Sequence, residues 1–193
     1  MSQIDGGAPR ERGGGAVFID RDGTLIRDMN YIGDPALVQL VPDAAHSVRR
    51  LNEAGWPVVI VTNQSGIARG FFTTDDYDRV KERIESQLRE AGARIDATYM
   101  CPHHPDYGGP CDCRKPGTLL FRQAAEALGL ELPASWYVGD KLRDILPAAT
   151  LGGQGILVPN EYTPRDDVAR ARAEFEVAAS LEAAVARVLH SAR

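Results

Sequence analysis

The sequence predicts a three-layer, Rossmann-like α/β/α sandwich with a mainly parallel sheet and no large cap domain. Short apolar runs rich in strand formers alternate with amphipathic helical segments, which is the pattern of a parallel sheet covered by helices on both faces. Residues 58–61 form a continuous apolar, β-branched run, as expected for a strand buried on both faces. Several runs end directly in polar residues, at the edge where open parallel sheets bind ligands.

Caps, prolines and glycines delimit the elements in the first half of the chain. Proline and aspartate favour the first turn of a helix, and a glycine beyond the last turn ends it. In order, the predicted elements are a strand at 16–19, a polar loop at 27–39, a helix from Pro42 to about Ala54 before Gly55, the strand at 58–61, and a long helix from a cap at 74–76 to about Ala91 before Gly92.

The same signals continue to the C-terminus. The predicted elements are a strand at 97–100, a helix from 116–117 to Leu128 before Gly129, a strand at 136–138, a helix at 144–151, a strand at 155–158 and a helix at 181–189. The chain has no internal repeat and no linker, so we expect a single domain over residues 16–193. Residues 1–15 are polar and glycine-rich, and we interpret them as a flexible tail.

The composition excludes several classes of protein. The 193 residues are 44% apolar and 25% charged, which is typical of one globular domain with a sizeable core. A net charge of −5 argues against nucleic-acid binding, and no apolar run is long enough to span a membrane. The N-terminal residues lack the apolar segment of a secretory signal, and three cysteines cannot all pair, so we expect a cytoplasmic protein. No heptad pattern supports a helical dimer, so we expect a monomer.

Four strand ends and loops carry side chains suited to phosphoryl transfer. Two carboxylates follow the first strand, Asp20 and Asp22, and we expect the first to be the nucleophile and the second the general acid and base. Asp140 would complete a Mg²⁺ site with Asp20 and the backbone carbonyl of Asp22. Thr62 and Lys115 would hold the phosphoryl oxygens. Each feature alone fits an ordinary turn, helix cap or solvated pair, but their ordered combination favours phosphoryl transfer.

These motifs resemble a known superfamily. Asp-Arg-Asp-Gly-Thr at 20–24, Thr-Asn at 62–63, Lys115 and Gly-Asp at 139–140 resemble the haloacid-dehalogenase superfamily of Mg²⁺-dependent phosphatases with an aspartate nucleophile. The segments 62–70, 101–105, 111–116 and 138–142 are more closely similar to the D-glycero-D-manno-heptose 1,7-bisphosphate phosphatases, whose branch also includes histidinol-phosphatase-like enzymes with zinc. The resemblance covers nearly all of residues 16–190.

The resemblance implies a reaction and a set of substrate contacts. The reaction is hydrolysis of the C7 phosphate through an aspartyl-phosphate, which leaves heptose 1-phosphate for nucleotide-activated heptose and lipopolysaccharide core precursors. The implied substrate-binding residues are Asp28, Met29, Asn30, Tyr31, Thr62, Asn63, Gln64, Ser65 and Lys115. The second phosphate of a bisphosphate needs further cations, and the candidates are Arg114, which can bind an oxyanion with two donors, and Lys141.

All three cysteines lie in one short segment together with two adjacent histidines. Cys101, Cys111 and Cys113 with His103 form a set of four ligands suited to a closed, structural Zn²⁺ site. The spacing of the resembled family favours His103 over His104 as the ligand. We expect His104 to be a packing residue or a support for the ligands, and zinc to fix the loop that carries Arg114 and Lys115.

Three other functions are compatible with parts of this pattern. A histidinol-phosphate phosphatase has a zinc loop nearer in length to this one, although the residues at 64–70 and 140–142 match the heptose enzymes better. A non-catalytic, zinc-stabilised binding module would be expected to have lost at least one of four side chains that are all present here, Asp20, Asp22, Lys115 and Asp140. A DNA-end 3′-phosphatase would require a basic groove, which the acidic composition disfavours. Asp144 could support Lys141 or the metal, or equally be an acid on a helix surface.

Overall fold

The computed structural model describes residues 14–191 and contains one sheet with helices on both sides. The strands are β1 (Val17–Ile19), β2 (Val58–Asn63), β3 (Ala97–Cys101), β4 (Trp136–Gly139), β5 (Gln154–Leu157) and β6 (Glu176–Val177). The helices are α1 (Ala44–Glu53), α2 (Thr74–Glu90), α3 (Leu119–Leu128), α4 (Leu142–Leu151), α5 (Arg165–Glu174) and α6 (Leu181–Ser191). Three short 3₁₀ turns lie at Pro35–Leu37, Pro105–Tyr107 and Leu132–Ala134.

All strands of this sheet run parallel, in the order β3-β2-β1-β4-β5-β6. The chain builds outward from β1 to β2 and β3, and then returns to the other side of β1 with β4. The switch point of the sheet therefore lies at the carboxyl end of β1, which is where open α/β sheets form their ligand crevice.

Side chains of β1 alternate between two buried layers. Val17 and Ile19 pack with α1, α2 and α6, whereas Phe18 faces α3 and α4 and stacks on Tyr137 at a centroid distance of 5.2 Å. This alternation follows from the two-residue period of a strand. The predicted three-layer α/β/α architecture with a parallel sheet is confirmed.

The structure contains two elements that the sequence pattern did not predict. Helix α5 has only Ala171 buried, so its apolar periodicity is too weak to indicate a helix. Strand β6 has two residues at the sheet edge, which is too short for an alternation signal.

The prediction of a flexible tail at residues 1–15 can be compared with the structure only at Gly14 and Gly15. Residues 1–13 of that tail lie outside the described residues. Gly14 accepts a hydrogen bond from the Glu131 N–H at 3.1 Å, and Gly15 is buried against Ala134, so these two residues pack on the loop before β4.

Within residues 14–191, none of the helices combines the length and the apolar character that crossing a membrane requires.

Candidate active site

A tight turn after β1 brings two strand ends together. The Asp20 N–H donates to the Val138 carbonyl at 2.9 Å, which continues the β1–β4 pairing. Gly23 in the turn has φ +84°, and a Cβ at this position would lie 2.6 Å from Asp140 Oδ2. Only glycine therefore allows this turn to approach the end of β4 so closely.

Lys115 lies between two buried carboxylates. Its ammonium is 2.5 Å from Asp20 Oδ1 and 2.8 Å from Asp144 Oδ1, and it also donates to the Val61 carbonyl at 2.6 Å. The Asp144 side chain reaches this position because Gly139 has no Cβ, which would lie 2.2 Å from the Cβ of Asp144. Asp144, which the sequence left open, is thus part of the buried cluster rather than an acid on a helix surface.

Three carboxylates form a cluster with excess negative charge. Asp20, Asp140 and Asp144 each place an oxygen within 4.8 Å of the others. Burial raises the pKa of Asp20 to about 8, an effect that Lys115 opposes and the neighbouring carboxylates increase. Burial also raises the pKa of Asp140. Buried oxygen ligands with uncompensated charge fit a hard divalent cation such as Mg²⁺.

The two predicted carboxylate ligands Asp20 and Asp140 are both in this cluster, and the structure adds Asp144. The Asp22 carboxylate is not a member, and the contribution of its backbone carbonyl to a Mg²⁺ site stays a prediction.

Asp22 is held by a network of side chains. The Arg21 guanidinium donates to both Asp22 oxygens at 3.0 Å, and Gln64 Nε2 donates to Asp22 Oδ2 at 2.7 Å. Gln64 also accepts from Arg21 at 2.8 Å and donates to the Thr62 hydroxyl oxygen at 2.7 Å. Because the Thr62 oxygen accepts this bond, its own O–H is left as a donor.

Asn63 fixes the backbone of Lys115. The Asn63 amide accepts from the Lys115 N–H at 3.0 Å and donates to the Lys115 carbonyl at 3.2 Å. These two bonds connect the end of β2 to the loop that follows the cysteines, so they determine where the Lys115 side chain enters the site.

A cleft of about 180 Å³ opens beside the carboxylates. It brings together most of the predicted substrate-binding residues, which are Asp28, Asn30, Tyr31, Asn63, Gln64, Ser65 and Arg114. Thr62 and Lys115 are almost fully buried and are not among its lining residues. Met29 instead lines a neighbouring cavity of about 410 Å³ together with Tyr162.

Lys141 is not among the residues that line this cleft. Its ammonium contacts Asp140 Oδ2 at 2.7 Å and donates to the Tyr162 carbonyl at 2.7 Å. The contact predicted between Lys141 and a second phosphate stays a prediction.

Sequence reasoning missed three residues of the site. Arg21 and Arg143 line the cleft, and Asn160 donates to Asp140 Oδ2 at 2.9 Å and to the Gly23 carbonyl at 3.0 Å. Asn160 follows shortly after β5, so the rule that polar residues at strand ends meet at one edge could have found it. Arg21 is buried and lies between Asp20 and Asp22, so its place in the motif could have indicated it, whereas no sequence signal distinguishes Arg143 from other exposed cations.

The four predicted zinc ligands form a second cluster. The Cys101–Cys111 and Cys111–Cys113 sulfur distances are 3.6 and 3.5 Å, and His103 Nδ1 lies 3.2 Å from Cys113 and 3.9 Å from Cys101. A tetrahedral zinc with Zn–S bonds of about 2.3 Å separates its sulfurs by about 3.8 Å. The Cys101–Cys113 distance, 2.7 Å, is shorter. The donor set and the remaining distances fit Zn²⁺.

His104 lies outside this cluster and connects three loops at the mouth of the cleft. Its Nε2 is 2.8 Å from Arg69 Nη2. The Arg69 guanidinium lies 5.8 Å from the ring centre of Tyr31 and 5.3 Å from that of Tyr107. The zinc loop is thereby packed against the loop after β1 and the loop after β2.

The raised pKa of Asp20 predicts that stability without Mg²⁺ depends on pH. Between the ordinary pKa of 3.8 and about 8, the folded protein keeps a proton that the unfolded chain has released. The free energy of unfolding therefore falls as pH rises through this window. We expect the Tm in Mg²⁺-free buffer to drop by roughly 10 °C from pH 5 to pH 8.

The control for this measurement is Asp20→Asn, which cannot release the proton and should lose most of that drop. No chelator is added, so that zinc is retained. Parallel Tm curves for the wild type and Asp20→Asn would contradict the assignment of the pH effect to Asp20.

Comparisons with known proteins agree with this geometry. Residues 112–184 match the family model described as HAD-hydrolase-like. The heptose-1,7-bisphosphate 7-phosphatase of Haemophilus ducreyi is 41% identical over 142 residues, which are 71% of this chain and 78% of that protein. The corresponding enzyme of Escherichia coli is 38% identical over 149 residues, which are 74% and 78% of the two chains.

A solved structure is similar over almost the whole length. The crystal structure of D,D-heptose 1,7-bisphosphate phosphatase from B. bronchiseptica, complexed with magnesium and phosphate, superposes with a TM-score of 0.81 at 33% identity. The match covers 92% of this chain and 99% of that one.

The parallel sheet and the aspartate cluster at its switch point, together with the matching family model, define a HAD-like hydrolase. Relatives of about 40% identity then assign the chain within that class. It belongs to the D-glycero-D-manno-heptose 1,7-bisphosphate 7-phosphatase family.

Proposed function

We propose that this protein removes the C7 phosphate of D-glycero-D-manno-heptose 1,7-bisphosphate and releases heptose 1-phosphate, a precursor of nucleotide-activated heptose. The observation that carries the proposal is the buried pair of Asp20 and Lys115, 2.5 Å apart, beside a cleft lined by arginines. The heptose substrate is taken from the names of the relatives. We further propose that the protein acts as a cytoplasmic monomer.

In the first step, an Asp20 oxygen attacks phosphorus and the bond between phosphorus and the sugar oxygen breaks. Asp22 donates a proton to the leaving sugar oxygen. The bidentate bond from Arg21 and the bond from Gln64 hold the Asp22 carboxyl in a fixed orientation for this transfer. The product of the step is an aspartyl-phosphate on Asp20 and the free sugar hydroxyl.

In the second step, Asp22 accepts a proton from a water molecule, which attacks phosphorus and releases inorganic phosphate from Asp20. The Lys115 ammonium and the Thr62 hydroxyl donate to phosphoryl oxygens in both steps. Asp144 holds the Lys115 ammonium at 2.8 Å and so keeps this charge in place.

The carboxylates of Asp20 and Asp140, with the Asp22 carbonyl, would hold Mg²⁺, and Asp144 lies beside them. When bound, Mg²⁺ supplies positive charge that offsets the charge of the phosphoryl group and of the carboxylates.

The proposal is tested by a panel of phosphate esters with Mg²⁺. We expect heptose 1,7-bisphosphate to be hydrolysed with a kcat/KM at least about a hundredfold above that of histidinol phosphate, because a site that pairs with a second phosphate discriminates strongly against a substrate lacking it. ³¹P NMR of the product should show loss of the C7 signal and retention of the C1 signal. A preference for histidinol phosphate would overturn the substrate, and no turnover of any ester would favour the non-catalytic binding module.

A further inference from the structure

Lys141 is already committed to other groups. Its side chain is 14% exposed, and its ammonium contacts Asp140 and the Tyr162 carbonyl, both at 2.7 Å. Asp140 belongs to the carboxylate cluster that would hold Mg²⁺, so Lys141 is paired beside the metal site. In this arrangement the Lys141 ammonium is occupied by Asp140 and Tyr162 rather than free at the cleft.

Arg143, by contrast, has free donors at the cleft. Its side chain is 47% exposed and lines the same cleft as Arg114 and Asp22. Among the described residues its ionic contact is to Asp144 Oδ1 at 4.0 Å, and the guanidinium makes no hydrogen bond to a protein group. Neighbouring carboxylates raise the pKa of Arg143 against the opposing effect of burial, so it stays charged.

The burial of the side chains around the cleft indicates which of the two phosphates of a bisphosphate Arg143 can contact. Asp20 and Lys115 are 7% and 3% exposed, so the reacting phosphate enters the deepest part of the site. Arg143 and Arg114 are more exposed and line the open cleft beside this position. Arg114 uses Nη1 on the His103 carbonyl at 3.2 Å, which leaves its other donors available.

We propose that Arg143 binds the non-reacting phosphate of a sugar bisphosphate together with Arg114, and that it is a specificity-determining residue of this enzyme. This inference rests on the proposed function. A guanidinium provides paired donors that match two phosphate oxygens, and its charge remains at any working pH. Lys141 acts on a different group, the Asp140 carboxylate.

The test compares two substrates that differ only in the second phosphate, heptose 1,7-bisphosphate and heptose 7-phosphate. For Arg143→Gln we expect the KM for the bisphosphate to rise ~10-fold with little change in kcat, since a charge-assisted bond made equally in the ground and transition states is lost. Kinetics with heptose 7-phosphate should change by less than about twofold. For Arg143→Lys we expect a KM for the bisphosphate between that of the wild type and that of Arg143→Gln, because lysine keeps the charge but loses the paired donors.

Two further variants complete the test. Arg165→Gln, an exposed arginine on α5, should behave as the wild type with both substrates. Lys141→Gln should lower kcat for both substrates by a similar factor, because it acts through Asp140.

The outcomes separate the inference from the proposed function. If the wild type does not prefer the bisphosphate over heptose 7-phosphate, the proposed function fails. If the wild type shows this preference and Arg143→Gln retains it, only the role of Arg143 is overturned. An equal loss on both substrates would place Arg143 at the reacting phosphate and would also overturn the inference.

Discussion

Replacing Asp20 by asparagine is expected to lower Mg²⁺-dependent phosphate release by at least about a thousandfold. An amide oxygen is a poor nucleophile and cannot form the acyl-phosphate that the proposed mechanism requires. The remaining donors, Lys115 and Thr62, would still bind the phosphate, so the loss should appear in kcat rather than in KM. Steady-state kinetics with heptose 1,7-bisphosphate measure both constants.

The Asp20→Asn variant should remain folded, which makes its loss of activity interpretable. It keeps the size and the polarity of the side chain, and Lys115 keeps its contact with Asp144 at 2.8 Å. Asp166→Asn is a matched control, because it makes the same change on the exposed side of α5 and should keep full activity. Activity within tenfold of the wild type for Asp20→Asn would exclude this residue as the nucleophile.

Replacing His103 by asparagine is expected to remove zinc and to lower both stability and activity. A structural zinc contributes directly to folding, and its loss should lower the Tm by about 10 °C. Arg114 and Lys115 directly follow the ligand Cys113, and a displacement of about 1 Å of a positioned group can cost roughly a hundredfold in rate. We therefore expect kcat to fall ~10- to 100-fold. Zinc content by atomic absorption and thermal unfolding provide the readout.

His104→Asn is the matched control, since the same substitution is made one residue later. His104 contacts Arg69 and accepts from the Asp106 N–H at 3.2 Å, but it is not a member of the ligand cluster. This variant should retain one zinc per chain and a Tm close to that of the wild type. Zinc loss in His104→Asn with retention in His103→Asn would reverse the assignment.

The predictable part of the site is the part located at strand ends. In a parallel sheet the carboxyl ends of β1, β2 and β4 lie at one edge, so the sequence alone could place Asp20, Thr62 and Asp140 together. The zinc ligands were equally predictable, because four donors lie within thirteen positions of one loop.

The part of the site that was harder to predict depends on which groups the charged ends of long side chains contact. Lys141 and Arg143 are two residues apart and have the same charge, yet one contacts Asp140 and the other lines the cleft. The sequence left Asp144 open between a support for Lys141 or the metal and an acid on a helix surface, and the structure shows that it is buried, with room provided by the missing Cβ of Gly139. Helix α5 was missed because it has a single buried residue and thus no apolar stripe.

By itself the sequence determined the layered parallel fold, the proposed set of reacting groups and the cysteine–histidine set suited to zinc, because these follow from local patterns and from the direction of parallel strands. The tertiary structure alone decided how those groups are paired: Lys115 with both Asp20 and Asp144, Lys141 with Asp140, and Arg143 with the cleft. The physical reason is that burial and ion pairing depend on contacts between segments far apart in the chain, and the local sequence does not encode the distances between them.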